Sequence, residues 1–160
     1  MDETRILNGL TEELAALVQE FRNTLGQLNK GAAPCSLEEA RAEAADYFRP
    51  NHTVVGLFLG GSLIGFSVVK AVDGVYWLDW IYVKPDCRGF SSASRLFDFS
   101  EKIALAAGED RLYVWVHPDN NWMLRFLKKK GYDTLNLVEV TKRKREKTEE
   151  VRILDNVLRY

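Results

Sequence analysis

Apolar residues recur along this chain with two different periods, and the switches between them predict the elements. Leu14, Leu17, Val18, Phe21 and Leu25 repeat at i, i+3, i+4, i+7 and i+11, one buried helical stripe that Thr11 caps. Gly26 to Pro34 reads as a loop. Ser36-Leu37-Glu38-Glu39 is then a capping box that opens a second helix through about Phe48, with Pro50 just beyond its end. A short opening strand is expected around Arg5 to Leu7.

The period then changes. Thr53 to Leu59, Leu63 to Val72 and Val75 to Val83 are strand-like runs separated by Gly60-Gly61 and Asp73-Gly74, the chemistry of tight turns, and predict an antiparallel meander. Alternation along the third run puts Trp77, Asp79, Ile81 and Val83 on one face. A helix over Ser91 to Ala107 follows, then a strand from Arg111 to Val116 with Leu112, Val114 and Val116 on one face. Asp119 caps a helix ending near Lys130, where Gly131 stops it.

Tyr132 to Val140 and Val151 to Leu158 read as a closing hairpin around a charged loop, Lys142 to Glu150. A helix over Glu149 to Leu158 competes, because Val151, Leu154 and Leu158 also fit helical spacing. The order β-α-α-β-β-β-α-β-α-β-β is an α/β (α+β) arrangement, a mixed, mostly antiparallel sheet with helices on both faces. No repeat or linker divides it, so one domain over residues 1–160 is expected, and 46% hydrophobic residues suffice for its core.

Charge narrows the partners. With 28% charged residues and a net charge of −1, no global basic field favours nucleic acid or a membrane. The basic run Lys142-Arg143-Lys144-Arg145 is balanced by Glu146, Glu149 and Glu150 and reads as solvated charge. Two distant cysteines, Cys35 and Cys87, suggest neither a disulfide framework nor a zinc site, and fit a reducing cytoplasm. The acidic start leads into no long apolar run, so neither a signal peptide nor a membrane span is expected.

The chemistry concentrates at Val83-Lys84-Pro85-Asp86-Cys87-Arg88-Gly89-Phe90-Ser91-Ser92-Ala93, where a strand opens into a helix through small residues beside an arginine. Small residues let backbone N–H groups approach a ligand, and a helix N-terminus favours an anion. Arg88-Gly89-Phe90-Ser91-Ser92-Ala93 resembles the pyrophosphate signature [Q/R]-x-x-G-x-[G/A] of the GCN5-related N-acetyltransferase (GNAT) family, with Ser91 in place of the first glycine. Downstream, Asn120, Met123, Phe126, Leu127, Gly131 and Tyr132 follow the spacing of a second family pattern, N-x-x-A-x-x-[L/F]-Y-x-x-x-G-[F/Y]. There Leu127 replaces its tyrosine and Met123 its alanine.

The resemblance implies the GNAT fold and an N-acetyltransferase that moves an acetyl group from acetyl-coenzyme A (acetyl-CoA) to a primary amine in a ternary complex, without a metal. It assigns the pyrophosphate to Arg88, Gly89, Phe90, Ser91, Ser92 and Ala93, and the pantetheine arm to Ile81, Tyr82 and Val83, with Asn120 and Leu127 on the other side. Val83 N–H becomes the oxyanion donor. A serine has a Cβ, so Ser91 fits this loop only at negative φ, where its hydroxyl reaches a phosphate oxygen.

Asp79 is the sole acid of its strand and stands where the family often carries a glutamate. It takes the ammonium proton through water, or else it pairs with a basic side chain or binds a cationic substrate. No general acid is named, because Leu127 cannot supply a hydroxyl; water, Tyr82 and Tyr132 remain. Cys87 reads as a structural or incidental thiol rather than a nucleophile, and His117 as capping or packing at its turn rather than as catalytic. Core packing accounts for most of Trp77, Trp80, Trp115 and Trp122, and an aromatic wall for a cationic acceptor is the minority reading. Tyr76-Trp77-Leu78-Asp79 and His117-Pro118-Asp119-Asn120 look like stretches of aminoglycoside-type family members. A non-catalytic acyl-CoA sensor or protein-interaction module is the rival function, and sheet edges leave a homodimer open.

Overall fold

The computed structural model describes residues 2–28, 33–89, 91–117, 119–140, 142 and 150–159. Residues Met1–Met123 and Leu124–Tyr160 form two compact units. The first holds a five-stranded sheet in sequential order: β1 (Asp2–Ile6), β2 (His52–Leu59), β3 (Ser62–Val72), β4 (Val75–Val83) and β5 (Tyr113–Val114). β1 to β4 pair antiparallel, and β5 joins β4 parallel. The sheet is mixed and mostly antiparallel, as the alternating runs predicted.

Helix α1 (Glu12–Leu28) starts where Thr11 Oγ1 accepts from Leu14 N–H at 3.2 Å. Its stripe, Leu14, Leu17, Val18 and Phe21, is buried against Val54, Phe66, Val68 and Tyr82 of the sheet together with α2 (Leu37–Asp46). Ser36 and Glu39 close the reciprocal capping box of α2. Asn23 Oδ1 accepts from Cys35 N–H at 2.8 Å, and the Gln19 amide donates to Cys35 C=O at 3.1 Å, so α1 itself holds the approach to α2. On the opposite face, α3 (Ser92–Ala106) sets Leu96 among Val55, Leu57, Ile64 and Val83. Ser100 Oγ meets Ser67 Oγ at 2.7 Å there and also donates to Leu96 C=O, which satisfies both buried hydroxyls.

Four expectations are corrected. The strand expected over Arg111 to Val116 is only Tyr113–Val114, because the chain turns away from β4 after two paired residues. Helix α4 (Asn121–Lys129) is capped by Asn120, whose Oδ1 accepts from Met123 N–H at 3.2 Å, and not by Asp119. Tyr132 to Val140 carries no strand; Leu135 and Leu137 are exposed, and alternation without a neighbouring ladder satisfies no backbone groups.

The closing hairpin instead lies within the last segment, β6 (Glu150–Ile153) against β7 (Asn156–Arg159), turning at Leu154-Asp155 with Leu154 at φ 54. That excludes the competing helix. The charged run 143–149 lies outside the described residues. At the end of α4 the Gly131 stop is present, with φ 85 and Tyr132 N–H bonded to Leu127 C=O at 3.0 Å. No described helix is long and apolar enough to cross a membrane.

Candidate active site

The site begins with a parity break in β4. Trp80 pairs with Val68 and Leu78 with Val69, so Asp79 is an extra residue with no partner across the ladder. The bulge separates two registers. Ile81 and Val83 face α3, whereas Trp80 and Tyr82 pack with Phe21 of α1. Trp77 is paired with Lys70, two residues from Val68, which puts it on the Trp80 side. The single face expected for Trp77, Asp79, Ile81 and Val83 is therefore not formed, since an inserted residue inverts the alternation beyond it.

The bulge coincides with the split between β4 and β5, whose pairing ends at Leu78 and Val114. Beyond that point a cleft of about 270 Å³ opens, lined by Asp79, Trp80 and Ile81 on one side and by Trp115, His117 and Asn120 on the other. The strand edge facing it has a defined polarity. Lys84 N–H bonds Ile64 C=O at 2.9 Å, so in an antiparallel ladder the next opposed pair, Val83 and Gly65, is not hydrogen-bonded across β3. The N–H and C=O of Val83, and by the same alternation those of Ile81, point to the open edge.

Arg88 confirms this direction: its Nε–H donates to Val83 C=O at 2.9 Å, and its guanidinium lies 5.6 Å from the Tyr82 ring centre. The loop after β4 makes a short 3₁₀ turn over Pro85–Cys87 and reaches α3 through Gly89 at φ 94 and Ser91 at φ 61, ψ 10. Ser91 is thus left-handed, contrary to the negative φ expected, and its side chain makes no cap bond. The corner needs that conformation to turn directly into the helix. Arg95 N–H makes the first helical bond, to Ser91 C=O, so the N–H groups of Ser92, Ala93 and Ser94 precede it as first-turn donors.

Arg22 Nε lies 3.2 Å from Glu43 Oε2, with its guanidinium 5.8 Å from the Trp80 ring centre, and Tyr47 O–H donates to Glu43 Oε1 at 2.5 Å. Burial pushes the Tyr47 phenol well above its ordinary value; the bond to Glu43 and that residue's charge add to the rise, and the Asp79 charge adds a smaller part. Tyr82 is also raised, mainly by burial, and its O–H lies 3.4 Å from Glu20 Oε2. Tyr82 spends its hydroxyl on α1, on the face opposite Ile81 and Val83.

His117 does cap its turn: its Nδ1 accepts from Asp119 N–H at 3.2 Å, and Asn120 N–H bonds His117 C=O at 2.8 Å. It also lines the cleft. Cys87 is half-buried against the α3-side core.

The sequence model described as "Acetyltransferase (GNAT) family" matches residues 15–132, well over half of the chain. The chain belongs to this family. No curated protein matches it significantly in sequence. Among solved structures it is similar to an aminoglycoside N-acetyltransferase in complex with CoA, at 17% identity and TM-score 0.65, covering 90% of this chain and 95% of that one. It is also similar to a ribosomal-protein-alanine N-acetyltransferase from Brucella melitensis biovar Abortus, at 16% identity and TM-score 0.65, covering 89% and 99%. A PaiA N-acetyltransferase from Thermoplasma acidophilum in complex with coenzyme A has 22% identity and TM-score 0.62, covering 81% and 88%.

Of the residues assigned through the GNAT resemblance, the structure brings Asp79, Ile81 and Asn120 to one cleft and places Val83 and the Arg88 loop at the adjoining strand end. Phe90 lies outside the described residues. Leu127 is buried in α4 within the second unit. Arg22 and Met123 also line the cleft, and no motif named Arg22. Trp115 and Trp122 are not core residues, being 71% and 85% exposed. Their number could not reveal this; the brevity of β5 decides it for Trp115.

Proposed function

We propose that this chain is an acetyl-CoA-dependent N-acetyltransferase acting on a primary amine. One observation carries the reading: the β4–β5 split opens at a bulged carboxylate, Asp79, beside a strand edge whose Val83 N–H faces outward and next to a small-residue helix start. These are the parts that acyl transfer to an amine requires. The N–H groups of Ser92 and Ala93, with the α3 dipole behind them, suit a pyrophosphate, and Arg88 adds a charge-assisted donor. The open edge of Ile81 and Val83 suits an extended amide-bearing arm, which would pair like a strand.

The amine lone pair attacks the thioester carbonyl carbon, the attached nitrogen releases its second proton to water, the C–S bond breaks, and the sulfur leaves as coenzyme A thiolate. Val83 N–H stabilises the charge that develops on the carbonyl oxygen. Asp79 receives the ammonium proton through a bridging water, since the aspartate arm is short. Water is the simplest source of the thiolate's proton, because Leu127 has no hydroxyl and Tyr82 is turned to Glu20. Coenzyme A leaves tolerably as a thiolate, so this slows the reaction without stopping it.

The test is calorimetric titration of acetyl-CoA into the protein together with thiol release over an amine panel. Binding with amine-dependent release of thiol supports an enzyme. Binding without release supports the second reading, an acyl-CoA sensor, which the left-handed Ser91 favours because its Cβ stands at a corner that a glycine would occupy without strain. No binding removes both.

A further inference from the structure

We infer that Trp115, backed by Trp77, selects the acceptor: it takes a second cationic group of a compact polyamine while the reacting amine lies at Asp79. This rests on the N-acetyltransferase reading of the cleft. Trp115 lines the same cleft as Asp79, yet the residue is 71% exposed. Trp77 lies 4.9 Å from it between ring centres, and Tyr113 lies 5.2 Å from Trp77. Three aromatic rings thus bridge the two strands where they separate, with the outermost ring uncovered.

An exposed indole of this kind contributes little to folding, and its face attracts a cation. Charge in the cleft agrees. Asp79 brings a carboxylate, and among the described lining residues the one guanidinium, Arg22, is held by Glu43. A monoamine would reach Asp79 alone. A polyamine spans both features, so its advantage comes from the indole and disappears with it.

The experiment is isothermal titration of spermidine and of butylamine into the full chain, with and without coenzyme A, for the wild type, Trp115→Leu and Trp115→Phe. Cation–π attraction predicts that Trp115→Leu weakens spermidine about 5- to 30-fold and leaves butylamine nearly unchanged. Trp115→Phe should recover part of the loss because it keeps a ring face, and butylamine binding that survives Trp115→Leu excludes a folding defect. Spermidine affinity that ignores the leucine substitution, equal losses for both amines, or no spermidine binding would each overturn the inference. Thiol release is read separately: Trp115-dependent spermidine binding with no release from acetyl-CoA sinks the enzymatic reading and leaves the polyamine site standing. Release that does not depend on Trp115 does the reverse.

Discussion

Arg88 Nε donates to the carbonyl of Val83 at 2.9 Å, so the side chain that begins the loop into α3 is fastened to the last residue of β4. A guanidinium has five N–H donors, and this bond uses one of them while it holds the strand end and the helix start in fixed relation. Arg88→Ala loses both the brace and the charge. Acetyl-CoA affinity should fall about 10- to 100-fold by calorimetry, the range for a lost charge-assisted hydrogen bond. Arg88→Lys should restore little, because an ammonium cannot donate sideways to Val83 and present a planar fork as well. Full rescue by lysine would reduce Arg88 to a point charge.

Ser91 holds a left-handed conformation that costs an L-residue about 1–2 kcal/mol. Ser91→Gly should therefore raise stability by about 1 kcal/mol, or about 3 °C in thermal midpoint, despite the greater entropy of unfolded glycine. Differential scanning calorimetry measures it directly. Acetyl-CoA binding measured on the same variant tells whether the serine side chain obstructs the cradle or contributes a hydroxyl to it. Tighter binding means obstruction, and weaker binding means that the hydroxyl is used.

Asp79→Asn keeps the size and the bulge but removes the base. Thiol release should drop about 100-fold in kcat while acetyl-CoA affinity stays within about twofold, the split expected when a proton acceptor is lost. A large rise in amine KM with kcat preserved would assign Asp79 to cation binding. A change in folding stability alone would make it structural.

The elements that local chemistry determines were legible in the sequence. The α1 stripe, the Ser36–Glu39 box, the glycine turns of the meander and the Gly131 stop each depend on residues within a few positions. What escaped depends on partners distant in sequence. The Asp79 bulge exists only in register against Val68 and Val69, and β5 is short only because the backbone leaves β4 after Val114. Tyr132 to Val140 has the composition of a strand but no ladder in the described structure. Trp115 follows the same logic, since strand alternation says which residues share a face and not whether anything covers it.

Gly65 sits opposite Val83, and a Cβ placed on it would come within 2.7 Å of Tyr82 C=O and 3.1 Å of Val83 Cγ2. Backbone cannot yield as a flexible side-chain tip does. Gly65→Ala should cost about 1–3 kcal/mol, seen as a fall of about 3–10 °C in thermal midpoint. The strain falls on the strand end that carries the proposed oxyanion donor, so kcat should drop even where the protein stays folded. Unchanged turnover in a folded variant would separate Val83 from the reacting carbonyl.

Tyr47 is 5% exposed and donates to Glu43, the residue that also neutralises Arg22. Its phenol titrates above the ordinary value of 10.0, chiefly because burial disfavours the phenolate. The sign follows directly. Below pH 10 both folded and unfolded chains keep the proton, and the full stability is present; above it the unfolded chain loses the proton while the folded chain retains it, so stability falls. One such group gives a slope of about 1.4 kcal/mol per pH unit beyond pH 10. Tyr82 is shifted in the same direction and adds to the fall. Urea melts between pH 8 and 11 should show the decline, and Tyr47→Phe should flatten it while costing about 1–2 kcal/mol at pH 8 for the lost hydrogen bond. An unchanged alkaline slope in that variant would mean that Tyr47 ionises freely in the folded chain and that the Glu43 pair does not hold it.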